Sequence, residues 1–367
     1  MTQAVETAPA PTLEERVLRD PGRFRVLTGD RPTGPLHLGH YFGTLRNRVR
    51  LQNLGVEVFV LLADYQVLTD RDVAENLGRH VEEQVLDYLA VGIDPARSTV
   101  FAHSAVPALN QLMLPFLSLV SVAELHRNPT VKDEIAHSRQ SAVSGLMLTY
   151  PVHQAADILS CKAGLVPVGQ DQLPHLELTR TIARRFNERY GGGGGGAAGG
   201  AGVGGGVGTG AGVFPVPEAL LSSAPLLLGT DGGKMSKSRG NAIALGASPD
   251  ETARLLRGAR TDADRHITYD PANRPEVSSL LLLAALCSGR TPEEIAAETG
   301  AAGAAALKRT VTEAVNEYLA PIRARRAEYA ADRAHLRRVL AEGNERARAV
   351  AETTLAEVRA AMGSDYR

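Results

Sequence analysis

Two histidines, a lysine pair and one aspartate are the residues whose types and spacing could do chemistry. His37 and His40 stand three apart around Gly39 in GDRPTGPLHLGHYFG, residues 29 to 43. Residues three apart share a helix face, so a metal is one reading. Zinc needs three or four ligands, however, and no neighbouring Cys or His completes a set. A core histidine is the second reading. The third is a nucleotide grip: a glycine-bearing turn between a strand and a helix points backbone N–H groups at an anion. Gly39 would leave room for a flat base, and the imidazoles would offer donors to phosphate oxygens.

The segment KMSKS, Lys234 to Ser238, holds two of only five lysines in a chain with 35 arginines. A basic loop is usually just solvated. A point charge on a flexible stem nevertheless suits a moving phosphate better than a planar fork does. Asp157, in YPVHQAAD, could accept a hydrogen bond from an indole N–H or a phenol O–H, or simply pair with an arginine.

These residues need elements to position them. FRVLTG reads as a buried strand, followed by a helix from about Gly39 to Leu54. VEVFVLLAD and STVFAHS read as further strands, with a helix over 72–92 between them. Helical stretches follow over 108–128 and 145–160. LVPVGQDQ returns a short strand and a turn, and the helix over 173–190 is where the sheet is expected to close. Alternating strands and helices predict an α/β fold with a Rossmann-like, doubly wound parallel sheet as the catalytic domain. After Ala244 the chain reads as capped helices, in SPDETARLLRGA, in TPEEIAAETG, from Lys308 to Gly343 and then on to Met362. The expected organisation is a mobile tail over 1–20 with a short helix at 13–18, a catalytic domain over 21–247, and a C-terminal helical domain over 248–367. Residues 191–212 contain 15 glycines and read as a flexible surface loop.

At 367 residues two domains are expected, and a net charge of −1 excludes a general polyanion binder. Cys161 and Cys287 lack CxxC spacing, which excludes a cysteine-built zinc site and a disulfide framework. No apolar run approaches the roughly 20 residues of a membrane span. A soluble, cytoplasmic protein is the expectation.

HLGH resembles the HIGH signature of class I aminoacyl-tRNA synthetases, and KMSKS is the second signature of that class, unaltered and in the same order. Nucleotidylyltransferases share an HxGH turn but lack KMSKS followed by a helical domain. Within the class the chain is similar to tryptophanyl-tRNA synthetases from about Phe24 to Met362, glycine tract aside, through AVGIDP, LTYPVHQAADIL and LVPVGQDQLPHLELTR as well. Tyrosyl enzymes are the nearest competitor.

The resemblance implies ATP with Mg²⁺ and no protein metal site, with L-tryptophan and tRNA(Trp) as partners and a homodimer as the assembly. It implies catalytic roles for His37, His40, Lys234 and Lys237. ATP would be contacted by Arg31, Pro32, Thr33, Gly39, His40, Gly169, Gln170, Asp171 and the loop Lys234, Met235, Ser236, Lys237 and Ser238. Tryptophan would be held by Asp157, which reads the indole N–H, with Tyr150, Gln66, Val166, Val168 and Gln172. Four positions depart from the common bacterial pattern: Arg31 for glutamine, His40 for asparagine, Gln66 for histidine and Gln154 for methionine. They suggest an alternative bacterial form with altered response to indole-type inhibitors. Arg323, Arg325 and Arg326 are weaker candidates for a tRNA contact, against a solvated helix face. A non-enzymatic RNA-binding paralogue is the third possibility, opposed by the intact signatures.

Overall fold

The computed structural model describes residues 11–69, 76–137, 143–169, 172–191, 212–221 and 226–366. The first half of the expected tail, the body of the glycine tract, the start of the helix expected from Asp72, and Gln170 and Asp171 lie outside the described residues.

Helix α1 (Leu13–Arg19) is capped by Thr12 and Glu15 in reciprocal bonds. Strand β1 (Arg25–Asp30) runs into the His37 turn, and α2 (Leu38–His40) continues through a π-helical turn, Tyr41–Leu45, into α3 (Arg46–Leu54). Gly55 ends α3 at φ 95°, a left-handed conformation suited to glycine. Then follow β2 (Glu57–Leu62), α4 (Leu77–Val91), β3 (Ser98–Ala102), α5 (Pro107–Leu117), α6 (Val122–Arg127), α7 (Pro129–His137), α8 (Gly145–Ser160), β4 (Leu165–Val168) and α9 (Leu173–Tyr190). Beyond the glycine tract come β5 (Glu218–Leu221), α10 (Pro249–Arg257), α11 (Pro275–Ser288), α12 (Pro292–Thr299), α13 (Ala304–Ala331) and α14 (Arg333–Met362).

The strands pair in parallel in the order β3-β2-β1-β4-β5. The chain winds outward from β1 to β3, then crosses back to β4 on the other side of β1, so the carboxyl ends of β1 and β4 flank the switch point. Successive strand residues face opposite sides. Val58, Val60 and Leu62 join one core with α3, α4, α11 and α13, while Phe59 and Leu61 join the other with α5, α8 and α9. Both faces are covered, which is why these strands read as unbroken apolar runs.

The sheet does not close at α9 as expected: β5 adds a strand beside β4. Its four residues, Glu-Ala-Leu-Leu, carry no alternation that separates a strand from a helix turn. The break between the last two helices falls at Asp332 rather than at Gly343, and the Asp332 carboxylate caps α14 by accepting the His335 N–H. Helix α14 then returns to the sheet. Its Gly343 lies so close to β3 that a Cβ there would fall 1.8 Å from the Val100 carbonyl oxygen, and Asn344 accepts the Ala102 N–H. Edge strand β3 is thereby covered. Among the described residues no helix is long and apolar enough to cross a membrane.

Candidate functional site

The turn after β1 organises itself around its two histidines. His37 is the N-cap of α2, and its Nδ1 accepts the Gly39 N–H at 3.1 Å; His40 Nδ1 accepts the His37 N–H at 3.3 Å. A neutral imidazole that accepts at Nδ1 carries its proton on Nε2. Burial, then the neighbouring His40 and Lys237, hold the His37 pKa down to about 3. Burial also lowers His40 to about 4, against the attraction of Asp30. Both rings, 3.8 Å apart, are therefore neutral Nε2 donors at neutral pH, set at a helix N-terminus.

A buried cluster missed in the sequence supports that turn. Arg48 is 1% exposed and pairs with Asp30 through two nitrogens, at 2.6 and 3.1 Å, while the Tyr88 hydroxyl donates to Asp30 at 2.7 Å. Burial alone would push the Asp30 carboxyl up, but Arg48 and Tyr88 outweigh it and hold it at about 2. Asp87, on α4, accepts the Leu36 N–H at 3.0 Å and pairs with Arg326 of α13 at 2.8 Å. The available signal for Asp87 was an acid beside the apolar positions Val85, Tyr88 and Leu89.

The lysine loop docks on the same turn. Met235 is buried, and a Cβ on Gly39 would meet its sulfur at 3.3 Å and the His37 ring at 3.0 Å. Lys237 Nζ donates to the Gly34 carbonyl at 2.9 Å and lies 3.4 Å from Thr33 Oγ1. Burial lowers the Lys237 pKa, opposed by Asp30 and Asp87. Asn241 pins the loop, accepting the Ser236 N–H and donating to Asp231 and to the Lys234 carbonyl. Backbone bonds from Leu38 to Ile243 and from Leu245 to Leu36 seal the two segments together. The structure thus brings His37, Gly39, His40, Thr33, Met235 and Lys237 into one place. Lys234 and Arg31 are exposed beside them, Pro32 is buried in the turn, and Ser236 lies in the loop backbone.

A second group meets at the same carboxyl edge. Asp157 and Tyr150 lie seven residues apart on α8, two turns along one face, and Val166 and Val168 of β4 belong to the core into which α8 packs. Asp157 is 1% exposed. The Tyr150 hydroxyl lies 3.0 Å from His175 Nε2, and burial followed by Glu134 raises its pKa. Gly169 follows β4 and accepts the Gln172 N–H at 3.1 Å, and Gln66 is half-buried in the turn after β2. Beside Asp157 lie His103 and His153, also buried, and these three are a group whose geometry could hold a metal ion. No expectation covered that group.

The three C-terminal arginines are engaged within the chain. Arg323 donates to Asn316 and Thr252, Arg325 to the Ala90 carbonyl, and Arg326 to Asp87 and Glu83. All three are half-buried, and their hydrogen bonds fasten α13 to α4 and α10. Burial pushes the thiols of Cys161 and Cys287 up to about 12, so neither is an activated nucleophile. What remains is a site of neutral donors, a docked lysine and a buried carboxylate beside an apolar core. That inventory suits phosphoryl chemistry carried by positioning rather than by a covalent intermediate.

Residues 19–320 match the family model of class I tRNA synthetases for W and Y. A tryptophan–tRNA ligase of Clostridium longisporum is 41% identical over 350 residues, covering 93% of this chain and 97% of its own. One from Treponema pallidum is 42% identical over 353 residues, covering 94% and 98%. A crystal structure of tryptophanyl-tRNA synthetase from Campylobacter jejuni, complexed with ADP and tryptophan, superposes with a TM-score of 0.76 at 28% identity, covering 92% of this chain and 99% of that one.

Proposed function

The chain belongs to the class I tRNA synthetases that serve tryptophan and tyrosine, and from that membership we infer how its residues divide the reaction. Its activity is the ATP-dependent activation of L-tryptophan and its transfer to tRNA(Trp). A tryptophan carboxylate oxygen bonds to the α-phosphorus while the bond to the β-phosphate bridge breaks and pyrophosphate leaves. The terminal ribose hydroxyl of tRNA then attacks the activated carbonyl, and AMP departs.

The observation that carries the residue assignment is the mutual capping of His37 and His40 beneath the docked lysine loop. Capping commits both Nδ1 atoms as acceptors and presents both Nε2 protons to phosphate oxygens. Gly39 lies under the adenine. Arg31, Pro32 and Thr33 give the first contacts of the turn to ATP. Lys237 is held by Gly34 and Thr33, and in the reaction it exchanges those partners for the departing pyrophosphate, joined by exposed Lys234. Met235, Ser236 and Ser238 shape that loop as it closes. Gly169, Gln170 and Asp171 serve the ribose, and Gln172 the polar end of the amino acid. Asp157 reads the indole N–H, with Tyr150, Gln66, Val166 and Val168 around the ring. Mg²⁺ accompanies the phosphates of ATP; Asp30, the carboxylate at this turn, is already committed to Arg48 and Tyr88.

Residues 248–367 serve tRNA, including the anticodon, through surfaces other than Arg323, Arg325 and Arg326. The protein works in the cytoplasm as a homodimer. Exposed Leu114, on α5, and Val122, at the start of α6, are apolar positions suited to burial by a second copy. The departures at Arg31, His40, Gln66 and Gln154 mark an alternative bacterial form with altered sensitivity to indole analogues. Equal inhibition of wild type and Gln66→His by such an analogue would count against this.

The test of function is amino-acid-dependent ATP–pyrophosphate exchange with tryptophan and tyrosine side by side. Exchange with tryptophan alone is expected. Exchange with tyrosine would overturn the role of Asp157, and none with either would leave an RNA-binding paralogue.

A further inference from the structure

Three buried side chains at the carboxyl edge keep all six of their polar atoms without hydrogen bonds: both nitrogens of His103, both of His153 and both oxygens of Asp157. Even with His103 Nε2 and Asp157 Oδ1 lying 2.8 Å apart, the other four have no partner, and each unpaired buried polar group costs on the order of 1–3 kcal/mol, so the group marks a place built to meet something. His103 follows β3 and His153 precedes Asp157 by one turn of α8, so the group spans two elements. The His103 and His153 rings are 4.5 Å apart and Tyr65 stacks against His103.

We propose that His103 is a positioning residue for tryptophan selection. It holds one oxygen of Asp157 so that the other is presented to the ring N–H of the substrate. The inference rests on the reading of Asp157 given above and adds the group that aims it. His103 Nε2 lies 2.8 Å from Asp157 Oδ1, close but not yet aligned as a hydrogen bond. Its Nδ1 faces Asp64, with 4.0 Å between Nδ1 and Oδ1. Asp64 is itself fixed, accepting the N–H groups of Tyr65 and Ser104 and the Ser104 hydroxyl. The order Asp64, His103, Asp157 therefore runs from the end of β2 past the end of β3 to α8.

The chemistry matches an indole. The indole N–H is a donor with no lone pair to satisfy, and it needs only the remaining carboxylate oxygen. A phenol brings two lone pairs as well as its O–H, and a His103 facing carboxylates at both nitrogens has no donor to spare for them. A metal ion is the competing occupant. Ligand atoms around tetrahedral zinc at its usual bond lengths of about 2.0–2.1 Å are separated by roughly 3.3 Å. The 2.8 Å approach of Nε2 to Oδ1 is nearer to an N–H···O contact than to that spacing.

The experiment compares tryptophan with its benzothiophene analogue, in which sulfur replaces the ring N–H. The readout is the ratio of kcat/KM for the two in pyrophosphate exchange, for wild type, His103→Leu, His103→Gln and Asp157→Ala. His103→Leu is expected to shrink the ratio by about tenfold, mostly through KM for tryptophan, with KM for ATP unchanged. His103→Gln, whose amide reaches the place of Nε2, is expected to restore most of it. A purely structural role would lower both substrates together and leave the ratio alone. If Asp157→Ala collapses the ratio and His103→Leu does not, the role of His103 is overturned while that of Asp157 stands; if neither does, the reading of Asp157 fails. Should the leucine variant not fold, His103→Asn, whose amide is too short to reach, takes its place. Stoichiometric zinc or iron in the purified wild type, removable by chelator with loss of tryptophan binding, would also overturn the proposal.

Discussion

The His37 and His40 rings work as neutral donors because each is desolvated and each spends Nδ1 on a backbone N–H. That state has a pH signature. The unfolded chain protonates these histidines near their ordinary pKa of 6.5, whereas the folded protein resists until about 4 and about 3. Below 6.5 the unfolded state therefore binds more protons, so their contribution to stability is complete above pH 6.5 and falls away as the pH drops toward 4. Denaturant titrations from pH 8 to 4 should show that decline, and a His37→Ala/His40→Asn double variant should show less of it. An equally steep decline in the variant would place the titration elsewhere. The Arg48 pair makes a second prediction at this scale. Arg48→Met would strand the Asp30 charge in the core and should cost about 3–5 kcal/mol in equilibrium unfolding. A loss below 1 kcal/mol would mean that Asp30 finds water or takes a proton.

At the scale of elements, the site depends on two segments about 200 residues apart in sequence lying against one turn. Asn241 is the pin of the lysine loop, so Asn241→Ala should raise KM for ATP and lower kcat while leaving tryptophan affinity intact, measured by pyrophosphate exchange. Unchanged kinetics would show that the loop keeps its shape without this residue. Gly343→Ala should lower the unfolding free energy by about 1–3 kcal/mol or more, because the added methyl meets the β3 backbone that α14 covers. Both positions show where sequence reading stopped. Strands β1 to β4 and their helices are legible because burial on both faces leaves apolar runs and glycine marks the helix ends. Asn241 and Gly343 are not, because their roles lie in long-range contacts that no local period records. His103 and His153 escaped for the same reason, since β3 and α8 meet only in the folded sheet. The intrachain bonds of the α13 arginines were equally hidden, because a basic run on a helix looks alike whether it faces solvent, RNA or the carboxylates and carbonyls of a neighbouring helix.

At the scale of the whole molecule, one five-stranded sheet gathers at its carboxyl edge the histidine turn after β1 and the buried group formed by the ends of β2 and β3 with α8, to which we assign ATP chemistry and amino-acid recognition respectively. The C-terminal helices are not a detached appendage to it: α13 and α14 pack on α4 and β3 and contribute to the cores on both faces. Arg326, through Asp87 and the Leu36 N–H, ties α13 directly to the histidine turn. The chain contains no tryptophan, so fluorescence excited beyond the tyrosine band reports the bound substrate alone. That property separates binding from chemistry at Lys237 and the histidine turn, which we propose act on developing phosphate charge rather than on substrate binding. The measurement is single-turnover adenylate formation, followed by bound-tryptophan fluorescence in wild type and Lys237→Ala, with tryptophan affinity determined by the same signal. The rate is expected to fall by about 100-fold or more with affinity unchanged. A preserved rate, or losses of rate and affinity in equal measure, would contradict it.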